Sequence, residues 1–322
     1  MQAHTISGIH HITAIAGDPQ RNLDFYTSVL GLRLVKLTVN FDDPGTYHFY
    51  FGNASGTPGS ILTFFPWPGA RRGTVGTGQV TATTFAIPGG SAPYWRARLS
   101  SHDVAVTDAG ERFGEPVIAI ADPDGLPLEF VATRRAKPEL ARTGSTVDRA
   151  HAICGFHGAT ISEEGYEQTA RLLTATMGFS LVGSEGNRFR YRAPGDEDAA
   201  IVDLLCAPGG RFGRLGAGTV HHIAWRTPDD AQQLQWRSEL AQLGYNVSPV
   251  MDRNYFHSIY YREPGGVLFE IATDPPGFAV DEPREHLGEH LKLPSAYEAE
   301  RAALERILPP LTLPNAPAKA AR

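Results

Sequence analysis

The order strand–helix–strand–strand–strand recurs four times along this chain of 322 residues. That recurrence limits the fold more than any composition figure does. A unit of about 60 residues buries too little apolar surface to stand alone, so such units must pair. The first copy opens with a β-branched run at 9–15. An Asp18-Pro19 turn follows, then an amphipathic helix over 22–29 stopped by Gly31. Strand-like runs at 33–40, 47–51 and 60–65 complete it, separated by Pro and Gly turns. The second copy has its first strand at 79–87, a helix at 92–100 and a last strand at 126–132. The third starts near 153, with a helix at 166–177 and a last strand at 200–206. The fourth starts at 220, with a helix at 230–243 and a last strand at 267–272.

Copies two and four end alike. Asp122-Pro123-Asp124-Gly125-Leu126-Pro127-Leu128-Glu129-Phe130 matches Glu263-Pro264-Gly265-Gly266-Val267-Leu268-Phe269-Glu270-Ile271. In each, a turn delivers a strand with one carboxylate among apolar side chains. The expected fold is α+β, with four βαβββ modules paired into two domains with open mixed sheets. Two modules fall in 6–133 and two in 151–280, with a polar linker at 134–150. A C-terminal extension spans 281–322 and includes a short helix over 297–307.

An apolar fraction of 42% allows a real core, and the net charge of −6 gives nucleic-acid binding no electrostatic support. No apolar run approaches the ~18 residues of a membrane span, and the first residues show no basic-then-apolar leader. Cys154 and Cys206 are too few for a disulfide framework. A cytoplasmic protein is expected; whether it forms a homo-oligomer stays open.

The dipeptide His-His appears at matching places in copies one and four, as Gly8-Ile9-His10-His11-Ile12 and Val220-His221-His222-Ile223. Asp18 follows His11 at the spacing at which Asp229 follows His222, so the second histidines are equivalent. Strand alternation places His11 with Ile9 and Thr13, His222 with Val220 and Ala224, and Glu270 with Leu268 and Ala272. A lone Glu in such a strand is costly to bury ionised without a partner, and a metal supplies one. His11, His222 and Glu270 make a 2-His-1-carboxylate set, which suits Fe(II) and leaves coordination positions open. These residues require copies one and four to meet. At the corresponding places copy three has His157, copy two has Ala82, and Glu129 and Asp203 end their strands. That second site reads as degenerate, with no metal and with packed or hydrogen-bonded carboxylates.

With these residues in hand, the chain resembles the vicinal-oxygen-chelate superfamily of glyoxalases, bleomycin-resistance proteins and extradiol dioxygenases. Within it, the chain is most similar to ring-cleaving dioxygenases acting on hydroquinones. The resemblance covers about residues 6 to 310, including Gly56-Thr57-Pro58-Gly59, Glu185-Gly186-Asn187-Arg188 and Asp281-Glu282. It implies Fe(II) on His11, His222 and Glu270, and a small aromatic diphenol and O2 as reactants. It also implies catalytic roles for His221, His10, Arg253 and Tyr260. Thr13, Arg253 and Tyr260 would contact the substrate. Strict alternation puts His10 and His221 on the face opposite the ligands, so their roles would need a bulge or twist. Two other readings stand beside this one. A glyoxalase-type isomerase or lyase would commonly use a fourth ligand from the last strand of copy one, but 60–65 offers no carboxylate or imidazole. A metal-free sequestering protein would not need the intact triad.

Overall fold

A computed structural model describes residues 5–141, 145–195 and 199–314. Module one supplies β1 (Ile9–Ala16), β2 (Arg33–Asn40), β3 (Asp43–Gly52) and β4 (Ile61–Pro66). Module two supplies β5 (Gln79–Pro88), β6 (Thr107–Arg112), β7 (Glu115–Ala121) and β8 (Pro127–Thr133). Module three supplies β9 (Gly155–Glu163), β10 (Ser180–Glu185), β11 (Arg188–Arg192) and β12 (Ile201–Cys206). Module four supplies β13 (Thr219–Thr227), β14 (Met251–Asp252), β15 (Phe256–Arg262) and β16 (Leu268–Pro276).

Modules one and four form one eight-stranded sheet, in the order β14-β15-β16-β13-β1-β4-β3-β2. Modules two and three form the other, in the order β10-β11-β12-β9-β5-β8-β7-β6. In each, the first strands of two modules pair antiparallel at the centre, β1 with β13 and β5 with β9. Each first strand also runs parallel to its own module's last strand.

Each module carries one helix. α1 (Pro19–Asp24) is capped by the Asp18 carboxylate, which accepts from Arg21 N. It begins earlier than the periodicity indicates because Pro19 is tolerated in the first turn. α2 (Ala92–Ser101), α3 (Glu167–Arg171) and α4 (Asp230–Gln242) follow, with Asp229 capping α4 through Gln232 N. The helices of modules one and three continue into π turns, Phe25–Val29 and Leu172–Thr176. Modules two and four lack that turn, so the repeat alternates in two types.

The loops after β4 and β12 meet about a pseudo-two-fold axis. Thr74 and Arg214 exchange both backbone hydrogen bonds at 2.8 Å, and Arg72–Ala217 and Thr77–Phe212 bridge symmetrically on either side. Glycine is required where they touch: a Cβ on Gly76 would lie 2.2 Å from the Arg211 carbonyl oxygen, and one on Gly216 2.5 Å from that of Arg71.

Trp95, Trp225 and Trp236 are fully buried between helices and sheets, where truncation to Ala costs about 3–5 kcal/mol. The extension lies along module one. Arg33 donates to the carbonyls of Arg284, Glu285 and Leu287, and Lys292 N to the Leu37 carbonyl at 2.9 Å. These bonds cover β2, the edge of its sheet. The buried Lys36 ammonium meets the carboxylates of Asp281 and Glu282. The expected helix is a 3-10 turn, Ser295–Glu300, followed by α5 (Arg301–Ile307). The last part of the extension, 315–322, lies outside the described residues. Among those described, no helix is long and apolar enough to cross a membrane.

Candidate metal centre

The centre begins with two bulges. Along β1 and β13 the register jumps from Ile9↔Trp225 to His11↔Ala224, and from Thr13↔His222 to Ala14↔Val220. His10 and His221 are the extra residues, and a bulge breaks the period-two alternation. Alternation alone put them on the face away from the ligands. Instead each reaches its neighbour: His10 Nδ1 lies 2.9 Å from His11 Nδ1, and His221 Nδ1 lies 2.8 Å from His222 Nδ1. Burial pushes the His10 imidazole well below its usual pKa, with His11 adding to the effect. Burial and then His222 push His221 down to about 3, so it is neutral at pH 7. With the Nδ1 proton on His11 and His222, both Nε2 atoms carry lone pairs, the form a metal ligand needs.

β16 runs beside β13 with Glu270 opposite Ala224, which carries the carboxylate to the same place. Its Oε2 lies 3.0 Å from His222 Nε2 and 3.4 Å from His11 Nε2, and the two Nε2 atoms are 3.4 Å apart. Donors on one octahedral face with bonds of about 2.1 Å lie about 3.0 Å apart, and tetrahedral ones about 3.4 Å. The triangle therefore fits one cation. The Ser258 hydroxyl donates to Glu270 Oε1, while the buried Oε2 accepts no hydrogen bond. Burial would raise the Glu270 pKa. Without a metal, only positive charge on His11 and His222 themselves outweighs burial and holds the carboxyl well below the usual range, a role a cation would take over once those Nε2 atoms are ligands. This is the group among the described residues whose His, Cys, Asp or Glu atoms converge enough to hold a metal.

The second sheet is an internal control. Glu129 faces Thr84 as Glu270 faces Ala224, so the two carboxylates correspond. Arg112 Nη1 sits 2.7 and 2.8 Å from the Glu129 oxygens, and the Thr84 hydroxyl adds a bond of 2.9 Å. Arg188 and Arg190 engage Asp203 in the same way. In this sheet guanidinium groups supply the positive charge beside both carboxylates. The ligand counterparts are Ala82 and Gly158, since Thr84 pairs with Gly158 as Ala224 pairs with His11. His157 is the bulged residue and matches His10, one place away from the expected ligand position; it bonds Glu115 at 2.9 Å. The remaining cavity is about 10 Å³.

In the first sheet the corresponding cavity is about 310 Å³ and opens onto His11 and His222. Phe41, Phe65, Trp67, Phe256 and Leu268 form apolar walls, and His221, Tyr260, Arg253, His48 and Asp42 add polar groups. His48 and Tyr50 stand where the second sheet has Arg188 and Arg190, and as neutral groups they do not reach across to the carboxylate as the guanidinium groups do. A second cavity, of about 320 Å³, adjoins the other sheet and includes none of the three donors.

Arg253 Nε donates to the Tyr260 hydroxyl at 3.1 Å, and its Nη atoms lie 3.2 and 3.0 Å from the Asp42 carboxylate. Burial and then Glu270 raise the Tyr260 phenol pKa, so it remains a donor. Not every residue singled out from the sequence lines this cavity. His10 lies behind His11 against Phe256, and the Thr13 hydroxyl bonds Thr63 at 2.8 Å within the sheet. Sequence reasoning missed Asp42, Ser258 and His48. His48 has an alternation signal, since it shares a strand face with Tyr50; it bonds that phenol and Thr63, each at 2.9 Å.

The family model described as Glyoxalase/Bleomycin resistance protein/Dioxygenase superfamily matches residues 8–130 and 156–271. The chain is 54% identical over 303 residues to "Putative ring-cleaving dioxygenase MhqO" of Bacillus subtilis (strain 168), covering 94% of this chain and 96% of the relative. It is 33% identical over 309 residues to a "Chlorohydroquinone/hydroquinone 1,2-dioxygenase" of Sphingobium indicum, covering 94% and 96%. A crystal structure of a "putative dioxygenase" from Bacillus subtilis superposes with a TM-score of 0.93 at 53% identity, covering 97% and 99%. Glyoxalase I from Zea mays shares the fold, with a TM-score of 0.61 at 14% identity over 83% of this chain and 92% of that one. The chain belongs to the glyoxalase/bleomycin resistance protein/dioxygenase superfamily.

Proposed function

We propose that this protein is an Fe(II)-dependent ring-cleaving dioxygenase. It inserts both atoms of O2 into a hydroquinone-type ring, with iron on His11, His222 and Glu270. The observation that carries this reading is the convergence of three buried donors, one a carboxylate oxygen with no hydrogen bond. The names of relatives matched over nearly the whole chain support the same reading.

A metal there supplies Lewis-acid and redox chemistry, with open positions for a phenolate and O2. The chain's own residues do the rest. Apolar walls orient the ring and exclude water. Because Arg253 donates to the Tyr260 oxygen, the phenol hydrogen is left to point at a substrate oxygen. His221, neutral and half-buried, lines the cavity and accepts or returns a proton there. His10 and His221 fix the rings of His11 and His222. Arg253 orients Tyr260 and reads oxygen substituents at the rim. Thr13 acts from within the sheet through Thr63.

An isomerase of the glyoxalase kind fits less well. Thr63 on β4 corresponds to Glu270 on β16, since each faces the residue two beyond a histidine ligand. Thr63 gives that reading no fourth carboxylate or imidazole. The test is anaerobic reconstitution with Fe(II), followed by oxygen uptake with a panel of hydroquinones and catechols. Isotopically labelled dioxygen should place two oxygen atoms in the product. Isomerisation of a thiohemiacetal, with no oxygen uptake on any diphenol, would sink the reading.

A further inference from the structure

Arg253 and Arg112 occupy one place in two modules. Asp252 pairs with His257 in the hairpin that brings Tyr260 opposite Glu270. Glu111 pairs with Pro116 in the hairpin that brings Ala119 opposite Glu129. Each arginine comes next in its turn, and each is followed by a left-handed residue, Asn254 at φ 66 and Phe113 at φ 51.

The two side chains end differently. Arg112 lies on both oxygens of Glu129. Arg253 is turned away, its Nη atoms on Asp42 of module one and its Nε on the Tyr260 phenol. Both anchors are missing in the second sheet. Ala119 replaces Tyr260. The β10–β11 hairpin turns at Gly186-Asn187, directly before Arg188, the counterpart of His48, so it is too short to present a residue where the longer β2–β3 turn puts Asp42. Asn187 is uncharged and donates to the Cys206 carbonyl at 2.7 Å.

We propose that Asp42 and Tyr260 form a latch that holds Arg253 off Glu270, and that without it this arginine neutralises Glu270 and competes with the metal. The proposal rests on reading His11, His222 and Glu270 as metal ligands. An arginine tethered in the same sheet cannot be diluted away, so only a competing anchor keeps it clear of the carboxylate. Asp42 is therefore a positioning residue. The extension supports its turn, where the Tyr297 hydroxyl donates to the Phe41 carbonyl at 2.9 Å and Asp42 N donates to Asn40 Oδ1 at 3.0 Å.

The test is equilibrium dialysis of metal-free protein against Co(II), which reads binding without turnover. If the released arginine covers Glu270 in nine-tenths of molecules, the apparent Kd rises about tenfold. That rise is expected for D42A/Y260A, with a smaller rise in the same direction for D42A alone. Adding R253M to D42A/Y260A should restore the wild-type Kd within about twofold, which mere damage from the Tyr260 truncation would not allow. Wild-type affinity in D42A/Y260A, or no recovery on adding R253M, overturns the latch. Equal Co(II) binding by wild type and E270A would instead overturn the metal reading beneath it.

Discussion

Arg112→Met measures what a carboxylate costs at this strand position when its cation is gone. The Arg112 side chain is 20% exposed and that of Glu129 8%, so solvent screens the pair weakly. Breaking a buried pair by removing one partner costs about 3–5 kcal/mol. Burial and then Arg112 lower the Arg188 pKa while Glu129 pulls weakly the other way, so this second guanidinium lies near enough to Glu129 to cushion the loss. We therefore expect the low end, about 3 kcal/mol, or roughly 6 °C in apparent Tm. The double variant R112M/E129M replaces the pair with apolar chains and should recover to within about 1 kcal/mol of wild type. Thermal and urea unfolding followed by circular dichroism measure both. If R112M lies within about 1 kcal/mol of wild type, or the double variant is no better than the single one, the reasoning fails. The consequence reaches beyond the second sheet, because Glu270 occupies the same place with no guanidinium on it. A large cost in R112M means that Glu270 too requires a positive partner.

Three further outcomes are expected. Glu270→Ala should stay folded by circular dichroism yet lose iron by about 100-fold or more in affinity, since one ligand accounts for about 3 kcal/mol of a site worth about 10–16; metal analysis after anaerobic reconstitution checks this. Tyr260→Phe should keep its iron and lower kcat/KM for a hydroquinone about tenfold, the worth of one hydrogen bond to substrate. Glu163→Gln should stabilise the protein increasingly as pH rises. Burial and the neighbouring Glu263 raise the Glu163 pKa far above its usual 4.5. The unfolded chain therefore ionises first, and the wild type loses stability from about pH 4.5 upward. The Tm advantage of E163Q should be near zero at pH 4.5 and clear at pH 8.

The repeat and the convergence of His11, His222 and Glu270 were legible for a physical reason. Glycine and proline turns mark the modules locally, with a capping aspartate in modules one and four, and two imidazoles with a lone buried glutamate are costly unless they meet. The bulges were not legible. A β-branched run gives no residue-type sign of an extra residue, so strict alternation turned His10 and His221 the wrong way. The same extra residue displaced His157 by one place from the ligand position it seemed to fill. Asp42 was invisible for another reason. It sits in a polar turn, Phe41-Asp42-Asp43-Pro44, and its partner Arg253 lies three modules away, so the ion pair leaves no local pattern.

The two sheets share a backbone plan and differ in a handful of side chains. Both have bulged central strands, a carboxylate on the last strand of a two- or four-type module, and an arginine in the adjoining hairpin. That arginine alone cannot decide the outcome, because it is present in both. The decision falls to its alternatives: an aspartate on a long turn and a tyrosine in one sheet, a shorter turn and an alanine in the other. The ligand positions agree, with two histidines where the arginine is held away and with alanine and glycine where it is not. On the proposed reading a cation is required in both places, and the neighbours of one arginine select whether that cation belongs to the chain or must be bound. Installing the tyrosine anchor in the second sheet, as Ala119→Tyr, should draw Arg112 from Glu129. The apparent Tm should then fall toward that of R112M, because no histidines stand ready to bring in a metal. An A119Y variant as stable as wild type would show that Arg112 stays on Glu129 even with that anchor offered, and the selection would have to lie elsewhere.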